Sequence, residues 1–525
     1  MIVVSPLPQC PLPVGDIPTY VFGAAAQHAD QVALVDAESG LQLTAGDVCQ
    51  TATRLAAGLA HAGYGGRVIS AFADTELRCV YVYYAALMAG GTYQALSPDM
   101  AADDVRRCVE QSRTPAVFTT AARLGQLRAA VGGLDVALFV LDSCGSSCGS
   151  CGVDGQPFTR LLVDDPGFAP ARITTRSEAI AKPALLAYRG GPHDPLALSH
   201  YGLLAWCRFA PPPALPPALG RVAVSAVPLG GSCDIAGLAQ FPILTASCVV
   251  QLRASDPATC LAALEQWRAE SFLAAPDVLA AIAAAAVRGP VAGRVAAAGR
   301  SYDLRALQVV YTRTRHTPRT FRDRVTGLLG ARLVELYGYA ETGTIAGHIT
   351  EHPRLDGSVG LLCPGVSARV VLAGKDVADG EFGEILVATP RLVASDASGP
   401  DYFSTGDYGT VTADGVVVIK ARMADLLRLR SGSLVAPADV EARLAVLPQV
   451  AECAVVPVRR DGCDTPFAFI VPAPGTVVAA AELVGPLGRL YPGIRACLVE
   501  HIPRLGCGEP DRQALLAMRC DSAAA

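Results

Sequence analysis

The sequence ELYGYAETGTIAGH (residues 335–348) places a Tyr-Gly turn shortly before a single acidic side chain, Glu341. A second stretch, YFSTGDYGTVTADG from Tyr402, carries Asp407 in a turn that precedes a strand. A third stretch, ARMADLLRLRSGSLVAPADVEARLAVLPQV from Ala421, joins a basic loop to the start of a helix. Each stretch alone is typical of an ordinary turn or helix start. The fold is therefore indicated by their order and spacing along one chain.

On the N-terminal side of these stretches, Ala-rich helical segments alternate with short β-rich runs, which predicts an α/β fold with largely parallel sheets flanked by helices. After Gly357 the sequence changes to short strands and Gly turns, which predicts a β-rich subdomain. From about Arg422 strand and helix patterns alternate again, so we expect a large domain of residues 1–421 and a small α+β domain of residues 422–525. The predicted strands are VALVD (32–36), RVISAF (67–72), PAVFTT (115–120), ALLAY (184–188), RVAVSAV (221–227), SCVVQL (247–252) and LQVVYT (307–312).

Composition excludes several classes of protein. The chain has 525 residues, more than one hydrophobic core usually holds. Its 51% hydrophobic and 17% charged residues exclude a disordered chain or a coiled coil. With 43 basic against 48 acidic residues and no long Lys/Arg block, we expect no nucleic-acid partner. The basic charge is nearly all arginine, because the only lysines are Lys182, Lys375 and Lys420.

The sequence also predicts a cytoplasmic protein with no membrane span. The longest uncharged run, residues 235–252, contains Gln240 and Pro242, so it fits a buried helix followed by a strand better than a bilayer span. The N-terminal MIVVSPLPQCPLP has no basic region before an apolar stretch, so no secretory signal is expected. The 17 cysteines are odd in number and scattered, which favours reduced thiols that are buried as small hydrophobic side chains.

The Gly/Ser-rich segment DSCGSSCGSCGVDG (residues 142–155) favours a surface loop. Cys144, Cys148 and Cys151 also have the C-x3-C-x2-C spacing of one class of iron–sulfur site. That alternative is the weaker one, because Ser150 stands where such sites usually carry an aromatic residue. Metal binding by these three thiols stays open at this point.

Taken together, the three stretches, with GSVGLLCPG between the first two, resemble the adenylate-forming (AMP-binding) superfamily. The N-terminal region is similar to its branch of 4-coumarate:CoA ligases and fatty-acyl-CoA ligases. The resemblance covers essentially the whole chain. It implies ATP-dependent activation of an aryl or fatty carboxylic acid to an acyl-adenylate, followed by transfer to coenzyme A. It also implies that the small domain is mobile, because it rotates between the two steps.

The resemblance also assigns roles to individual residues. Glu341 matches the catalytic glutamate that holds Mg²⁺, and Mg²⁺ prefers such hard oxygen ligands. Asp407 matches the aspartate that binds the ribose hydroxyls, and Arg422 matches the arginine at the hinge that also reaches the ribose. Tyr337 and Gly338 belong to the same nucleotide-binding motif. The implied cofactors are ATP and Mg²⁺, with coenzyme A as co-substrate.

Both family lysines are replaced. The family's phosphate loop is rich in hydroxyl groups and ends in Pro-Lys-Gly, whereas this chain has RGGPHDPLA, with Gly190 and Gly191 in the loop and Asp194 at the lysine position. A carboxylate ~4 Å from a phosphate oxygen costs roughly 4 kcal/mol at an effective dielectric constant of about 20. Arg189 and His193 are candidates to compensate for this charge. The second, catalytic lysine position is occupied by Glu509. Losing one donor to a developing oxyanion typically costs ~10²–10³ in rate.

Three further positions depart from the family pattern. Arg313 stands where a Gly lines the adenine slot, Asp234 aligns with a common His, and Ala340 replaces a Thr before the magnesium glutamate. The sequence therefore predicts an acid:CoA-ligase-like protein whose nucleotide site has diverged and whose activity is reduced or lost. The alternative is a catalytically inactive pseudoenzyme that binds an acyl or aryl ligand or acts as a scaffold.

Overall fold

The structure of the protein is a computed structural model. It describes residues 2–8, 12–142, 155–188, 195–209, 222–229, 234–288, 293–314, 319–348, 357–392, 402–460, 463–504 and 510–522. The three cysteines of the C-x3-C-x2-C segment lie outside these ranges, so their metal binding stays untested.

The described residues form helices in both halves of the chain. They are α1 (Ile17–Ala25), α2 (Ala45–His61), α3 (Cys79–Met88), α4 (Ala102–Ser112), α5 (Leu124–Val131), α6 (Arg176–Ala181), α7 (His200–Phe209), α8 (Asp234–Thr245), α9 (Pro257–Gln266), α10 (Pro276–Ala285), α11 (Arg319–Leu329), α12 (Pro437–Ala445), α13 (Ala480–Val484) and α14 (Arg512–Ser522).

The first seventeen strands belong to the α/β part of the chain. They are β1 (Ile2–Val4), β2 (Val32–Asp36), β3 (Gln42–Thr44), β4 (Val68–Phe72), β5 (Thr92–Leu96), β6 (Ala116–Thr119), β7 (Ala137–Val140), β8 (Gln156–Pro157), β9 (Pro183–Tyr188), β10 (Pro195–Ser199), β11 (Val222–Ser225), β12 (Cys248–Gln251), β13 (Ser271–Leu273), β14 (Ala286–Arg288), β15 (Arg294–Ala297), β16 (Arg300–Asp303) and β17 (Val309–Arg313).

The remaining strands follow the first motif or contain it. They are β18 (Arg332–Tyr339), β19 (Gly343–Gly347), β20 (Ser358–Leu362), β21 (Ser367–Leu372), β22 (Lys375–Asp376), β23 (Gly383–Ala388), β24 (Phe403–Val411), β25 (Val416–Arg422), β26 (Leu427–Arg428), β27 (Leu434–Val435), β28 (Val450–Arg460), β29 (Cys463–Pro472) and β30 (Arg495–Leu498).

The largest sheet has 15 strands, in the order β1-β21-β23-β24-β25-β20-β19-β18-β17-β13-β11-β12-β2-β3, with β22 paired to β21. Its pairs from β18 through β17, β13, β11 and β12 to β2 are parallel. From β18 onward through β19, β20, β25, β24, β23 and β21 the pairs are antiparallel. The predicted α/β fold is confirmed, and the predicted β-rich part continues the edge of the parallel sheet.

A second sheet of seven strands has the order β10-β9-β5-β4-β6-β7-β8. Its strands pair in parallel except for the β9/β10 hairpin, in which Pro195 lies opposite Tyr188. The core between the two large sheets joins Ala71 and Leu185 of the seven-stranded sheet to Ala223 and Val249 of the larger one. Helix α3 lies in this core, and all of its residues are buried.

Local sequence explains where these elements begin. Helix α2 starts with a capping box, because the Thr44 hydroxyl accepts from the Asp47 N–H at 2.9 Å and the Asp47 carboxylate accepts from the Thr44 N–H at 3.0 Å. Such a cap stabilises a helix by about 1 kcal/mol. The uncharged run 235–252 forms α8 and then β12, as expected from its Gln and Pro.

The C-terminal part builds its own core from residues 427–515. Its sheet pairs β28 with β29 antiparallel and β29 with β30 in parallel. Strand β25 includes both Ala421 and Arg422, and the Lys420 ammonium lies 3.1 Å from the Asp439 carboxylate of α12. The domain boundary near Ala421 and Arg422 and the mobility of the small domain stay predictions.

In the described part of the chain, no helix is both long enough and apolar enough to cross a bilayer. Nine cysteines whose side chains the structure describes are free thiols, and four of them, Cys79, Cys108, Cys260 and Cys363, are buried. Burial raises the pKa of Cys260 to about 12, so this thiol stays protonated at neutral pH.

His200, the first residue of α7, is a buried histidine with a structural role. It is 1% exposed, and its Nδ1 accepts a hydrogen bond from the Ile17 N–H at 3.3 Å. Burial lowers its pKa from 6.5 to about 4, with Asp16 opposing and Lys182 adding to the shift. The ring is therefore neutral at pH 7 and acts as a hydrogen-bond acceptor.

We expect His200 to make the fold sensitive to acid. An unfolded chain binds a proton at this histidine below about pH 6.5, whereas the folded chain binds it only near pH 4. The stability contributed by the neutral ring is complete above pH 6.5 and falls by about 3 kcal/mol between pH 6.5 and pH 4.

Urea denaturation at pH 7, 5.5 and 4.5 measures this effect. The variant His200→Gln, whose amide oxygen can still accept from Ile17, is expected to lose less stability on acidification than the wild type. His61→Gln, at an exposed histidine, serves as the matched control. Equal acid sensitivity of the wild type and His200→Gln would contradict the prediction.

Candidate functional site

A cavity of about 340 Å³ opens at the carboxyl ends of the parallel strands β11, β12, β13 and β17. Ligand sites of open α/β sheets commonly lie at this edge. The described residues that line it are Trp206, Ser225, Val227, Leu229, Asp234, Gly237, Leu238, Phe241, Pro242, Thr245, Val249, Gln251, Leu273, Ala274, Ala275, Pro276, Tyr311, Thr312, Arg313, Leu336 and Thr344. We call it the apolar cavity, because most of these side chains are hydrophobic.

Two buried polar atoms belong to this lining. The Gln251 amide donates to the carbonyls of Val227 and Leu252 at 2.9 and 3.0 Å, but its oxygen has no hydrogen-bond partner among the described residues. The Thr312 hydroxyl, 3% exposed as a residue, also has none there. Buried polar groups are nearly always paired. A bound molecule with its own polar groups would satisfy both atoms.

A second cavity of about 290 Å³, which we call the cleft, lies beside the first motif. Its described lining is Ala187, Tyr188, Leu196, Asp234, Arg313, Leu336, Tyr337, Gly338, Tyr339, Ala340, Gly343, Thr344 and Arg391. The β9/β10 hairpin contributes one wall, so the predicted phosphate-loop segment 189–194 connects strands that border the cleft. The two cavities share Asp234, Arg313, Leu336 and Thr344.

Two of the residues predicted to depart from the family pattern form an ion pair where the cavities meet. Arg313 Nη1 lies 2.5 Å from Asp234 Oδ1, with the two side chains 51% and 23% exposed. The Arg313 guanidinium also lies 5.6 Å from the ring centre of Trp206, and that of Arg391 lies 5.0 Å from it. Two cations therefore contact one indole at the border of the apolar cavity and the cleft.

The predicted ribose residues come together as a closed cluster. Asp407 lies inside strand β24, paired with Arg422 of β25, and not in the predicted turn before a strand. It is 0% exposed and accepts hydrogen bonds from the Tyr337 hydroxyl at 2.7 Å and from the Tyr339 hydroxyl. Arg422 Nη1 donates to Asp407 Oδ1 at 3.0 Å, to the Tyr339 hydroxyl at 2.9 Å and to the Thr405 carbonyl at 2.7 Å. We call these four side chains the tyrosine–carboxylate cluster: Tyr337, Tyr339, Asp407 and Arg422.

The charges of this cluster support one another. Burial raises the pKa of Tyr337 well above its usual value, and the Asp407 carboxylate raises it further. The phenol therefore stays protonated and donates a hydrogen bond to Asp407. Burial alone would lower the pKa of Arg422, but Tyr339 and Asp407 raise it overall. The arginine therefore stays charged beside the buried carboxylate.

A ribose would compete with these internal donors. An ionised carboxylate offers about four lone-pair positions. Three donors from the protein already occupy Asp407, so a cis-diol has to displace Tyr339 or Arg422 to bind it with two hydrogen bonds. The residues required for the predicted role lie close together, but they make their hydrogen bonds to one another.

Glu341 is buried in the turn between β18 and β19 and is not among the described residues that line either cavity. Its neighbour Thr342 bonds internally, accepting from the Tyr339 N–H at 3.1 Å and donating to the Gly343 carbonyl at 2.9 Å. In the described ranges no group of three or more His, Cys, Asp or Glu side chains could hold a metal. One carboxylate fits Mg²⁺ only when nucleotide phosphates supply further ligands.

Four of the predicted site residues, Gly190, Gly191, Asp194 and Glu509, lie outside the described residues. Of the arginines near the second lysine position, Arg512 pairs with Glu441 at 2.7 Å and Arg504 with Glu452 at 2.8 Å. Both contacts lie within the C-terminal part, so neither guanidinium is directed to the cleft in this structure.

Sequence reasoning missed Trp206 and Arg391. Trp206 is one of only two tryptophans in the chain and lies on α7, six residues after the first residue of that helix, His200. That rarity was the one available indication. Arg391 belongs to no motif, although it is buried and its side chain lies beside Gly343.

Solved structures share the fold. Amide bond synthetase McbA from Marinactinospora thermotolerans superposes with a TM-score of 0.73 at 23% identity, covering 95% of this chain and 99% of that chain. The anthranilate CoA ligase AuaEII, solved with anthranoyl-AMP, gives a TM-score of 0.72 at 18% identity, covering 98% and 99%. At these identities the likeness shows the fold.

Curated relatives agree in name with the predicted branch. 4-Coumarate–CoA ligase-like 2 of Arabidopsis thaliana is 24% identical over 491 residues, covering 88% of this chain and 83% of its own. 4-Coumarate–CoA ligase 2 of Oryza sativa subsp. japonica is 23% identical over 502 residues, covering 88% and 85%.

The AMP-binding enzyme family matches residues 21–153 and 197–395, which is more than half of the chain. The match is interrupted across 154–196, the interval that contains the predicted phosphate-loop segment 189–194. Members of the family generally use ATP, Mg²⁺ and coenzyme A. On its sequence, and in agreement with its fold, this chain belongs to the AMP-binding enzyme family.

Proposed function

We propose that this protein binds an aryl or fatty carboxylic acid in the apolar cavity, and that its ATP-dependent conversion to acyl-adenylate and acyl-CoA is reduced or lost. The observation that carries the proposal is the cavity itself. It lies at the carboxyl edge of the parallel sheet and shares a wall with the cleft beside the family motif.

Its size favours a small acid. Small-molecule sites commonly enclose about 300–1,000 Å³. At about 340 Å³, the cavity suits a single aromatic ring or a short acyl chain better than a long fatty chain. Trp206, Phe241 and Tyr311 contribute aromatic surface to its lining, and Gln251 and Thr312 would accept a polar substituent on the ligand. Burial raises the pKa of Tyr311 to about 12, so its hydroxyl stays neutral.

Features of the nucleotide side support a loss of activity. Asp407 is occupied by donors from its own chain, and Ala340 offers no hydroxyl to the cleft. Both family lysine positions carry acids in the sequence, Asp194 and Glu509. If ATP binds with Mg²⁺, Glu341 is the residue that would hold the ion, which would neutralise phosphate charge.

The closed tyrosine–carboxylate cluster favours a second candidate function. In that case the chain is a catalytically inactive pseudoenzyme that binds an acyl or aryl ligand or acts as a scaffold. Such a protein keeps the apolar cavity but does not need a carboxylate that is accessible to the ribose of a nucleotide.

Measurements of binding and of turnover on the full chain distinguish these functions. Isothermal titration calorimetry with cinnamate, benzoate, butyrate and palmitate tests binding, and quenching of Trp206 fluorescence reports occupation of the apolar cavity. Pyrophosphate release with ATP and Mg²⁺, and acyl-CoA detection by mass spectrometry, test turnover with the same acids. A Trp206→Phe variant shows which part of the fluorescence change arises at the cavity, because the other tryptophan, Trp267, is not among the described cavity-lining residues.

We expect binding of the smaller acids and pyrophosphate release far below that of an active ligase run in parallel. Binding with no detectable release supports the pseudoenzyme. Failure of every acid to bind overturns the proposal, and rapid release overturns the predicted loss of activity.

A further inference from the structure

The Asp234–Arg313 ion pair carries the charges of the described residues that the apolar cavity and the cleft share. Both of its residues line both cavities. Arg313 is the last residue of β17, and Asp234 is the first residue of α8. A ligand with an apolar body and one polar end, placed with its body in the apolar cavity, would meet this pair at the cavity mouth.

The charge at this junction favours an anion. Among the described residues that line the cleft, Arg313 and Arg391 are positive and Asp234 is negative. The surplus of one positive charge lies beside the indole of Trp206, which both guanidinium groups contact. Exposed apolar surface alone would not distinguish an acid from a neutral molecule of the same shape.

We propose that Arg313 anchors the carboxylate of the bound acid by a charge-assisted hydrogen bond, with Asp234 as its internal competitor. This inference rests on the proposed function and adds the residue that makes the apolar cavity selective for acids. The role belongs to a position where the family pattern has glycine, so it is not one that the family resemblance implies.

The geometry suits exchange between two carboxylates. A guanidinium carries five N–H donors in a fixed fork that matches carboxylate oxygens, so it can contact Asp234 and a ligand together or exchange one for the other. The contact with Trp206 restricts the swing of the Arg313 side chain. The pair is partly exposed, and exposed ion pairs contribute little to stability, so replacing Asp234 by a ligand costs little.

An anchor of this kind favours binding over turnover. Interactions that are as strong with the bound acid as with the reacting acid do not accelerate a reaction. A carboxylate held by a guanidinium is also a poorer nucleophile, because its lone pairs are engaged. The anchor therefore fits a protein whose cavity is retained while its nucleotide site has diverged.

The test compares cinnamate with cinnamamide, which has nearly the same shape and no charge, by isothermal titration calorimetry at pH 7. The wild type is expected to bind cinnamate about 10- to 100-fold more tightly, the usual effect of a charge-assisted hydrogen bond. Arg313→Gln is expected to lose this preference while binding of cinnamamide changes little. Asp234→Asn removes the competitor and is expected to bind cinnamate several-fold more tightly than the wild type.

Arg300→Gln is the matched control. Arg300 also pairs with a carboxylate, that of Glu265 at 2.7 Å, and lies 4.8 Å from the ring centre of Tyr302, but it lines neither cavity. Its substitution should leave the preference for cinnamate unchanged. Arg313→Lys, which keeps the charge, should retain part of the preference and provides a second variant if Arg313→Gln does not fold.

The outcomes separate this inference from the proposed function. Binding of neither probe by the wild type, together with no binding of benzoate, butyrate or palmitate, removes the proposed function. Equal binding of cinnamate and cinnamamide by the wild type keeps the cavity as a ligand site and overturns the anchor. An unchanged preference in Arg313→Gln, or weaker cinnamate binding in Asp234→Asn, also overturns it.

Discussion

Gly338→Ala is expected to destabilise the protein by about 3 kcal/mol or more, which is the upper range for inserting an atom into a packed interior. A Cβ at this position overlaps the Gly343 carbonyl oxygen and lies 2.9 Å from the Gly343 carbonyl carbon and 3.0 Å from Thr344 Cα. All three are backbone atoms of β19, the partner of β18, so no side chain can move aside. The hairpin has to separate or shift its register.

The substitution is also expected to abolish acid binding. Leu336 and Thr344 of the same hairpin line both cavities, and Tyr337 and Tyr339 hold Asp407. A displaced hairpin therefore disturbs the apolar cavity and the tyrosine–carboxylate cluster together. Urea denaturation followed by circular dichroism measures the stability, and calorimetry with cinnamate measures binding.

Gly327→Ala is the matched control for this prediction. Gly327 is an exposed residue of α11, and a Cβ there meets no atom within 4 Å. The gain in helix propensity predicts stabilisation of about 0.5–1 kcal/mol. If Gly338→Ala and Gly327→Ala had equal stability, the close packing of β18 against β19 would be contradicted.

Gly338 also shows how sequence and structure contribute different information. The family resemblance predicts that it belongs to a nucleotide-binding turn, but it lies inside strand β18, paired with Thr344, and lines the cleft from there. The structure adds a steric reason for glycine that requires no nucleotide, because β19 passes too close for a side chain. A glycine in this motif is therefore not by itself an indication of nucleotide binding.

The strands could be predicted from sequence because apolar runs and turn residues act locally. The predicted VALVD strand is β2 without change, and LQVVYT differs from β17 by two residues at its start and one at its end. Such small differences are usual at the ends of elements, where pairing with neighbouring strands decides the last residue. The order of strands in the 15-stranded sheet depends on contacts distant in sequence and could not be predicted in detail.

The sequence predicted which residues belong to the candidate site but not which of them contact one another. Asp234 and Arg313 were each recognised as departures from the family pattern, yet 79 positions separate them and nothing in the sequence indicates that they pair. The donors around Asp407 were equally hidden, because Tyr339 occupies a position with no assigned role in the motif. Pairing across a sheet is a property of the fold, so these interactions emerge only with the structure.

Gly237→Leu is expected to weaken binding of both cinnamate and cinnamamide by at least about 100-fold, because it places a side chain at the wall of the apolar cavity. A Cβ at Gly237 lies 2.6 Å from Trp206 Cη2, 3.2 Å from Trp206 Cζ3 and 3.5 Å from Phe241 Cε2. These are side-chain atoms of the cavity lining, so they can yield only by moving or by giving up cavity volume. A 100-fold loss corresponds to about 2.7 kcal/mol, which is the size of one buried hydrophobic contact.

The same substitution at Gly23 provides the control. Gly23 lies exposed in α1, and a Cβ there meets nothing within 4 Å, so Gly23→Leu should bind both probes as the wild type does. Leucine is also about 1 kcal/mol better than glycine in a helix, so neither variant is destabilised by its helix propensity. Retained binding in Gly237→Leu would place the ligand elsewhere in the protein.

The pattern across variants then assigns the two parts of the ligand to two parts of the site. Gly237→Leu removes space for the apolar body and should affect the acid and the amide equally, whereas Arg313→Gln removes a charge and should affect the acid alone. If both variants reduced binding of acid and amide to the same extent, Arg313 would act through the shape of the cavity mouth and not through its charge. A difference between them therefore requires that the acid lies with its body against Trp206 and its carboxylate at the border of the cleft, where the family motif begins.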